Sequence, residues 1–425
     1  MPDPRSPDLP PRPSLPAAVL SAFRLDAAKI RAEKLDGGFS GALLYRLRHA
    51  GGAGQGGGAT GAPKFTVLRR WPQGTAASRV REVQTVTAAA RRRGCTLVPA
   101  TLHDADEVVA ADGYLWQHSD WVPGVPCAFS PAEPEAFVCA IGRAAAAVGR
   151  FHAAVADLTP HTAASPHAEP IVPAHSVGPP GPPAVIQRYQ RLRYFDDWLP
   201  RSDSACGSAS APAWALRAEA TLRMLWPRHV ARLQAALRNA HESEAATPLQ
   251  YVLRDCHHGH ILFDRDRLQV TGLIDFDALR IDTPATDLGR LVFSFAACTT
   301  ASQELLGGEG QGENVSQRPI SPAIATGLEA ADAQLDAWRN WLREALWPAA
   351  VAGIRQECSF SDQQANLAIV LGEATTLLAL ANWVKWTKEA CSTDSPPGPA
   401  RLDSIRNRVE ALSQFAINYF SSALS

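Results

Sequence analysis

The 425-residue sequence has no CxxC pair, although it holds eight cysteines, at 95, 127, 139, 206, 256, 298, 358 and 391. Such scatter suits reduced thiols in a cytoplasmic protein rather than a disulfide framework or a structural zinc site. An excess of either charge is also missing. The formal net charge is −1, so neither nucleic acid nor an anionic membrane surface would attract the whole molecule. The local run Arg91-Arg92-Arg93 reads as a solvated helix end. No uninterrupted apolar run approaches bilayer-spanning length, and the proline-rich N-terminus has no signal-like apolar stretch. No internal repeat is visible. The expectation is a soluble, cytoplasmic protein with no nucleic-acid or membrane partner; the sequence says nothing of its oligomeric state.

What is present divides the chain in two. Residues 1–16 contain seven prolines and read as a disordered tail. A short helix near 17–23 precedes "KLDGGFSGALLYRLRHAGG", read as strand, glycine-rich turn and strand. The run 51–63 is a flexible hairpin tip. "KFTVLRRW" is a third strand, on which Phe65, Val67 and Arg69 share a side. Val80, Val83, Val86 and Ala90 are spaced for a helix over 76–93. "TLVPATLH" and "DGYLWQHSDW" add two strand-like pieces, and "PGVP" at 123–126 marks a boundary. A first lobe over 17–122 and a second over 123–425 follow. The second is mostly helical: an Ala-rich helix ending near 158, a Pro/His-rich linker, and helices over 184–199 and 213–242. Short strands "QYVLRD", "HILFD" and "LQVTGLIDF" come next. Helices at 284–299, 321–348, 361–389 and 400–422 complete it, broken by a Gly-rich loop at 307–313.

The chemistry concentrates in "LRDCHHGHILF" and "VTGLIDFDALRID". Asp255 enters a short apolar strand, and Asp275 ends another twenty residues later, with a second carboxylate at Asp277. Two strands and a tight turn fit in that gap, so a hairpin can bring the two aspartates together. One could orient a hydroxyl nucleophile while the other holds a divalent cation, as phosphoryl transfer requires. In the first lobe, Gly37, Gly38, Ser40 and Gly41 lie between two strands, where backbone N–H groups can approach phosphate. A plain glycine turn is the alternative. Arg69 on the third strand, braced by Glu82 on the following helix, supplies a cation for nucleotide phosphates. An exposed strand residue and a solvated helix face are the bland readings of that pair. His257, His258, His260 and Cys256 also admit a zinc hydrolase, but no HExxH helix or second ligand cluster supports it.

Taken in this order, the elements resemble the aminoglycoside phosphotransferase-like enzymes, relatives of choline kinase, from about Lys34 to Trp386. The resemblance implies an α+β, two-lobed protein-kinase-like fold, with a small antiparallel-sheet N-lobe and a mostly helical C-lobe. It implies ATP, magnesium and a small hydroxylated acceptor. The family's catalytic loop, His-Gly-Asp-Leu-His-Pro-Gly-Asn, falls on Leu253 to His260, with Asp255 as the catalytic aspartate. Asp275 takes the metal-ligand position and Asp287 a loop-bracing one. The backbone near Asp120, Trp121 and Val122 takes the adenine-binding hinge. His152 reads as a packed helix residue, and Trp383 and Trp386 as core. Three departures stand out: Arg69 replaces lysine, Gly41 replaces asparagine, and His260 stands where an asparagine binds the metal. Magnesium prefers oxygen, whereas imidazole suits manganese, zinc or iron. Manganese is therefore a second candidate. A kinase-shaped module that binds nucleotide or ligand without phosphotransfer is the alternative function. The residues 184–199, 213–242 and 321–348 that would shape the acceptor pocket carry Arg188, Arg191, Arg193, Asp196 and Asp197, a mixed set favouring no substrate charge.

Overall fold

A computed structural model describes residues 15–35, 41–50, 65–104, 107–127, 134–158, 181–205, 212–242, 248–265, 268–307, 335–391 and 398–421. Most of the proline-rich tail, the glycine-rich hairpin tip, the Pro/His-rich linker and the start of the helix expected over 321–348 lie outside these residues.

After a short helix α1 (Ala17–Ala22), the first lobe is built on strands β1 (Ile30–Leu35), β2 (Leu43–His49), β3 (Phe65–Arg70), β4 (Val109–Ala111) and β5 (Tyr114–Asp120). They form one antiparallel sheet in the order β1-β2-β3-β5-β4, so β3 is central. On β3, Thr66 and Leu68 face the small core with Leu47, Val109 and Trp116. Phe65, Val67 and Arg69 take the other side, which follows from the period of two. "TLVPATLH" is not a strand: it makes turns and a lone bridge from Thr101 to Ser119. Pro99 in its middle lacks the N–H a ladder needs. The edge strand is instead β4, joined to β5 through Asp112 and Gly113, both at positive φ. Asp-Gly between apolar strands is a strong hairpin signal.

Helix α2 (Ala77–Arg92) buries Val80, Val83, Val86 and Ala90, as its spacing predicts. Arg91 and Arg93 are not merely solvated. Arg91 donates to the carbonyl of Val98 at 2.6 Å, and Arg93 reaches the carbonyl of Ala154 at 3.0 Å and the carboxylate of Asp157. Both lock the helix end onto neighbouring chain.

The crossing between lobes is short. β5 ends at Asp120, and β6 (Val125–Pro126) already pairs with Phe263 and Leu262 of the second lobe. Gly124, at φ 133°, makes that approach possible, since a Cβ there would lie 2.9 Å from the Phe263 carbonyl oxygen.

The second lobe comprises α3 (Pro134–Val155), α4 (Pro183–Ala205), α5 (Ala213–Glu242), α6 (Ala285–Gly307), α7 (Trp347–Glu357), α8 (Asp362–Cys391) and α9 (Pro399–Phe420). Residues 335–346 lead into α7 through a π turn, so this helical run continues to Glu357 rather than stopping near 348. Between α5 and α6 come β7 (Gln250–Val252), β8 (Ile261–Phe263), β9 (Val270–Leu273) and β10 (Arg280–Asp282). β8 pairs antiparallel with both β6 and β9, and β10 pairs antiparallel with β7. β10, "RID", is too short to stand out by periodicity.

Among the described residues, α3 and α8 are each long and apolar enough to cross a bilayer by length and composition, although charged residues such as Arg143 and Glu373 interrupt them. In each, 67% of the apolar window is buried inside the protein. Their apolar surface is spent on the core, where Ile141, Phe151, Leu371 and Leu377 sit at 1% exposure or less.

Candidate active site

The loop after β7 turns at Arg254, whose φ is 62°, and brings the Asp255 N–H to the Leu253 carbonyl at 2.8 Å. A left-handed non-glycine residue is strained and persists where its surroundings fix it. Asp287, fully buried at the start of α6, does so: its carboxylate accepts the N–H groups of Leu253 and Arg254, each at 2.7 Å. His152 of α3 donates Nε2–H to the same carboxylate at 2.9 Å. Asp287 thus occupies the bracing position expected of it. His152 is packed, as expected, but it is also the other half of the brace, which nothing in its own sequence context signals.

Asp255 is half-exposed, and Arg290 of α6 lies 3.1 Å from its Oδ1. Burial pushes its carboxyl up, but Arg290, then His257 and His260, hold it below the usual carboxylate range. Arg290 is absent from the sequence-based site, because only the fold brings position 290 beneath the loop.

The three imidazoles separate by hydrogen bonding. His257 Nδ1 accepts the Gly259 N–H at 3.1 Å. Its lone pair is used, and in the neutral ring the proton sits on Nε2. Burial, then the charge of His260, pushes His257 down to about 3. His258 turns towards Phe295 of α6, with ring centroids 6.3 Å apart. Cys256 is 1% exposed and burial pushes its thiol well up, so it is an inert core residue. Asp255, His257 and His260 do come together, with potential ligand atoms within 4.8 Å of one another, yet His257 has no free lone pair to give. The zinc hydrolase constellation is not assembled.

His260 differs. Its Nδ1 donates to the Asp255 carbonyl at 2.8 Å, which leaves the Nε2 lone pair facing Asp275 Oδ2 at 3.4 Å. The β8–β9 hairpin sets this pair, with Ile261 opposite Leu273 and the Ile274 N–H on the His260 carbonyl at 3.0 Å. Asp275 is itself left-handed, at φ 62° and ψ 70°. A proton on Nε2 or a divalent cation bridges these two atoms equally well. The 3.4 Å spacing suits adjacent donors on one ion with bonds of about 2 Å, and one nitrogen with one oxygen suits a borderline divalent cation. The residues present therefore fit a divalent metal.

From the other lobe, Arg69 points into the same space. Its Nη2 lies 3.5 Å from Asp275 Oδ1 and makes a closer ion pair with Asp277. Its Cζ stands 4.8 Å from the Trp71 ring centroid, and its buried Nε has no partner among the described residues. The expected Arg69–Glu82 brace is not formed. Glu82 pairs with Arg79, one turn earlier on α2, at 2.5 Å and with Arg280 at 3.8 Å. Arg79 in turn donates to the Asp277 carbonyl at 2.7 Å. Arg69 is nearer the carboxylates across the cleft, and Asp277 takes the partner role that sequence spacing gives to Glu82. Burial, with Asp275 adding to it against Arg69, pushes Asp277 up to about 6.

Of the remaining site residues, Gly37, Gly38 and Ser40 lie outside the described residues, and Gly41 stands at φ 79° just before β2. Asp120 closes β5, its N–H on the Ala100 carbonyl at 2.9 Å. The Trp121 ring centroid lies 5.3 Å from the Arg46 guanidinium carbon. Val122 packs on Gly272 of β9 so closely that a Cβ there would sit 2.1 Å from Val122 Cγ1.

Against known proteins, the family described as "Phosphotransferase enzyme family" matches residues 58–323. Among solved structures, a spectinomycin phosphotransferase in complex with ADP and spectinomycin is similar over 92% of this chain and 93% of its own, at 10% identity and a TM-score of 0.50. An aminoglycoside phosphotransferase from Alicyclobacillus acidocaldarius is similar over 96% and 95%, at 15% identity and 0.47. An ethanolamine kinase from Plasmodium vivax is similar over 93% and 84%, at 11% identity and 0.45. At 10% identity the first of these shows a likeness of fold alone, the two-lobed protein-kinase-like one. No curated protein matches the sequence.

Proposed function

Because this chain belongs to the phosphotransferase enzyme family, we propose that it is a cytoplasmic, ATP-dependent kinase that transfers the γ-phosphoryl group to a hydroxyl of a small molecule. The observation that carries the reading is the convergence of three groups from two lobes. Asp255 and the His260–Asp275 pair flank one space, and Arg69 enters it from the sheet. The first lobe, 17–122, would hold nucleotide and the second, 123–425, would supply the chemistry.

Asp255 is the group that orients the acceptor hydroxyl and takes its proton as the hydroxyl oxygen bonds to the γ-phosphorus and the bond to the ADP oxygen breaks. Arg290 keeps that carboxylate ionised. Asp287 and His152 hold the backbone on which it stands. Asp275 and His260 hold a divalent cation, which when bound supplies charge neutralisation of the nucleotide phosphates. The donor set favours manganese over magnesium. Arg69, with the backbone of Gly37, Gly38, Ser40 and Gly41, positions the phosphates, and the Asp120–Val122 backbone positions adenine. Nucleotide phosphates would share Arg69 with Asp277.

ATP consumption across a panel of hydroxylated acceptors, read beside thermal stabilisation by ATP with Mg²⁺ or Mn²⁺, tests this. Asp255→Asn should lower turnover by about 10²–10⁴-fold while ATP still stabilises the protein. A near wild-type rate would remove Asp255 as catalyst. Stabilisation without turnover in the wild type would favour a binding module, a reading motivated by His260 in place of asparagine.

A further inference from the structure

Strand β3 hands two side chains to the cleft side of the sheet. Thr66 and Leu68 face the small core, so Arg69 takes the opposite side, and Trp71, two residues on, returns to it. The chain is still extended there: the Trp71 N–H donates to the Leu115 carbonyl at 2.9 Å and carries the β3–β5 pairing past Arg70. The Trp71 ring is buried in the large core with Val80 and Val83 of α2. Packing sets its position, since the indole N–H has no partner among the described residues.

Arg69 lies over this ring, its Cζ 4.8 Å from the centroid. Its Nη2 reaches Asp277 and, at 3.5 Å, Asp275, while its buried Nε has no partner among the described residues. The side chain is thus held at its flat face by an aromatic ring and at its tip by the carboxylates across the cleft. A guanidinium suits both contacts, because it is planar and weakly hydrated and keeps its forked N–H groups while it stacks. An ammonium is a strongly hydrated point charge and gains less from the ring. The helix carboxylate that could brace such a cation is engaged elsewhere, Glu82 pairing with Arg79 at 2.5 Å and facing Arg280 at 3.8 Å.

We propose that Trp71 is a positioning residue for nucleotide binding: its ring, in place of a helix carboxylate, holds Arg69 ready for the phosphates and makes arginine the cation that works at this position. This rests on reading the space between the lobes as the nucleotide site. A long side chain ordered before the ligand arrives spares the ligand the cost of ordering it, which is about a two- to tenfold gain in affinity.

The test is calorimetric binding of ATP and of adenosine, which lacks the phosphates, to the full chain without acceptor. Trp71→Met should weaken ATP binding about two- to tenfold and leave adenosine binding unchanged, a split that mere loosening of the lobe would not produce. Trp71→Phe keeps an aromatic face and should stay nearer the wild type. Arg69→Lys leaves the core unchanged; alone it should weaken ATP binding by a similar factor, and by less once Trp71 is replaced by methionine. Equal weakening of ATP and adenosine in Trp71→Met, independent effects of the two changes, or full ATP affinity in Arg69→Lys would overturn the proposal alone. No binding of ATP by the wild type would overturn the nucleotide reading with it.

Discussion

At the residue scale, the turn that carries Asp255 depends on one buried carboxylate. Removing Asp287 leaves the N–H groups of Leu253 and Arg254 and the His152 ring without their acceptor. Asp287→Ala should therefore cost about 3–5 kcal/mol in urea denaturation, and His152→Ala less, since both loop N–H groups keep their partner. Equal losses would mean that the brace acts through the histidine alone. Arg69 and Glu82 give a second contrast. Arg69→Met should weaken ATP binding about tenfold or more by calorimetry, whereas Glu82→Gln should leave it unchanged, because Glu82 serves Arg79 and Arg280. A matching loss in both variants would restore the pairing expected from spacing. Asp255, His260 and Asp275 are legible in the sequence because they sit at strand ends within one short hairpin. Arg290, Asp277 and His152 are not, because each acts through a partner that only the tertiary fold brings near.

At the element scale, strands with clear alternation and helices with clear spacing were readable, and short or interrupted pieces were not. β4 and β10 have three residues each, too few for a period to show, and Pro99 defeats the strand reading of its segment. Packing between helices carries a pH consequence as well. His229 of α5 is 2% exposed and lies against Phe420 of α9, ring centroids 4.8 Å apart. Burial, then Arg232 and Arg228, pushes its pKa below the ordinary value. The unfolded chain then binds the proton that the folded one refuses, so this contribution is full above the unfolded histidine pKa of about 6.5 and is lost as pH falls towards the folded value. Denaturation midpoints measured downward from pH 7.5 should fall for the wild type, and less steeply for His229→Gln. Identical slopes would show that His229 carries no part of the acid sensitivity.

At the scale of the whole molecule, two lobes meet over one cleft, with Arg69 and Arg79 of the first reaching the Asp275–Asp277 segment of the second. The two-lobed plan was visible in composition, from a strand-rich beginning to a helix-rich remainder. The account as a whole turns on His260 working as a cation ligand in an active phosphotransferase. The most direct measurement is ATP turnover in Mn²⁺ and in Mg²⁺ by the wild type and by His260→Asn. The wild type should turn over ATP faster with Mn²⁺, and the variant should shift its preference towards Mg²⁺; absence of turnover with either ion, or the same preference in both proteins, would contradict it.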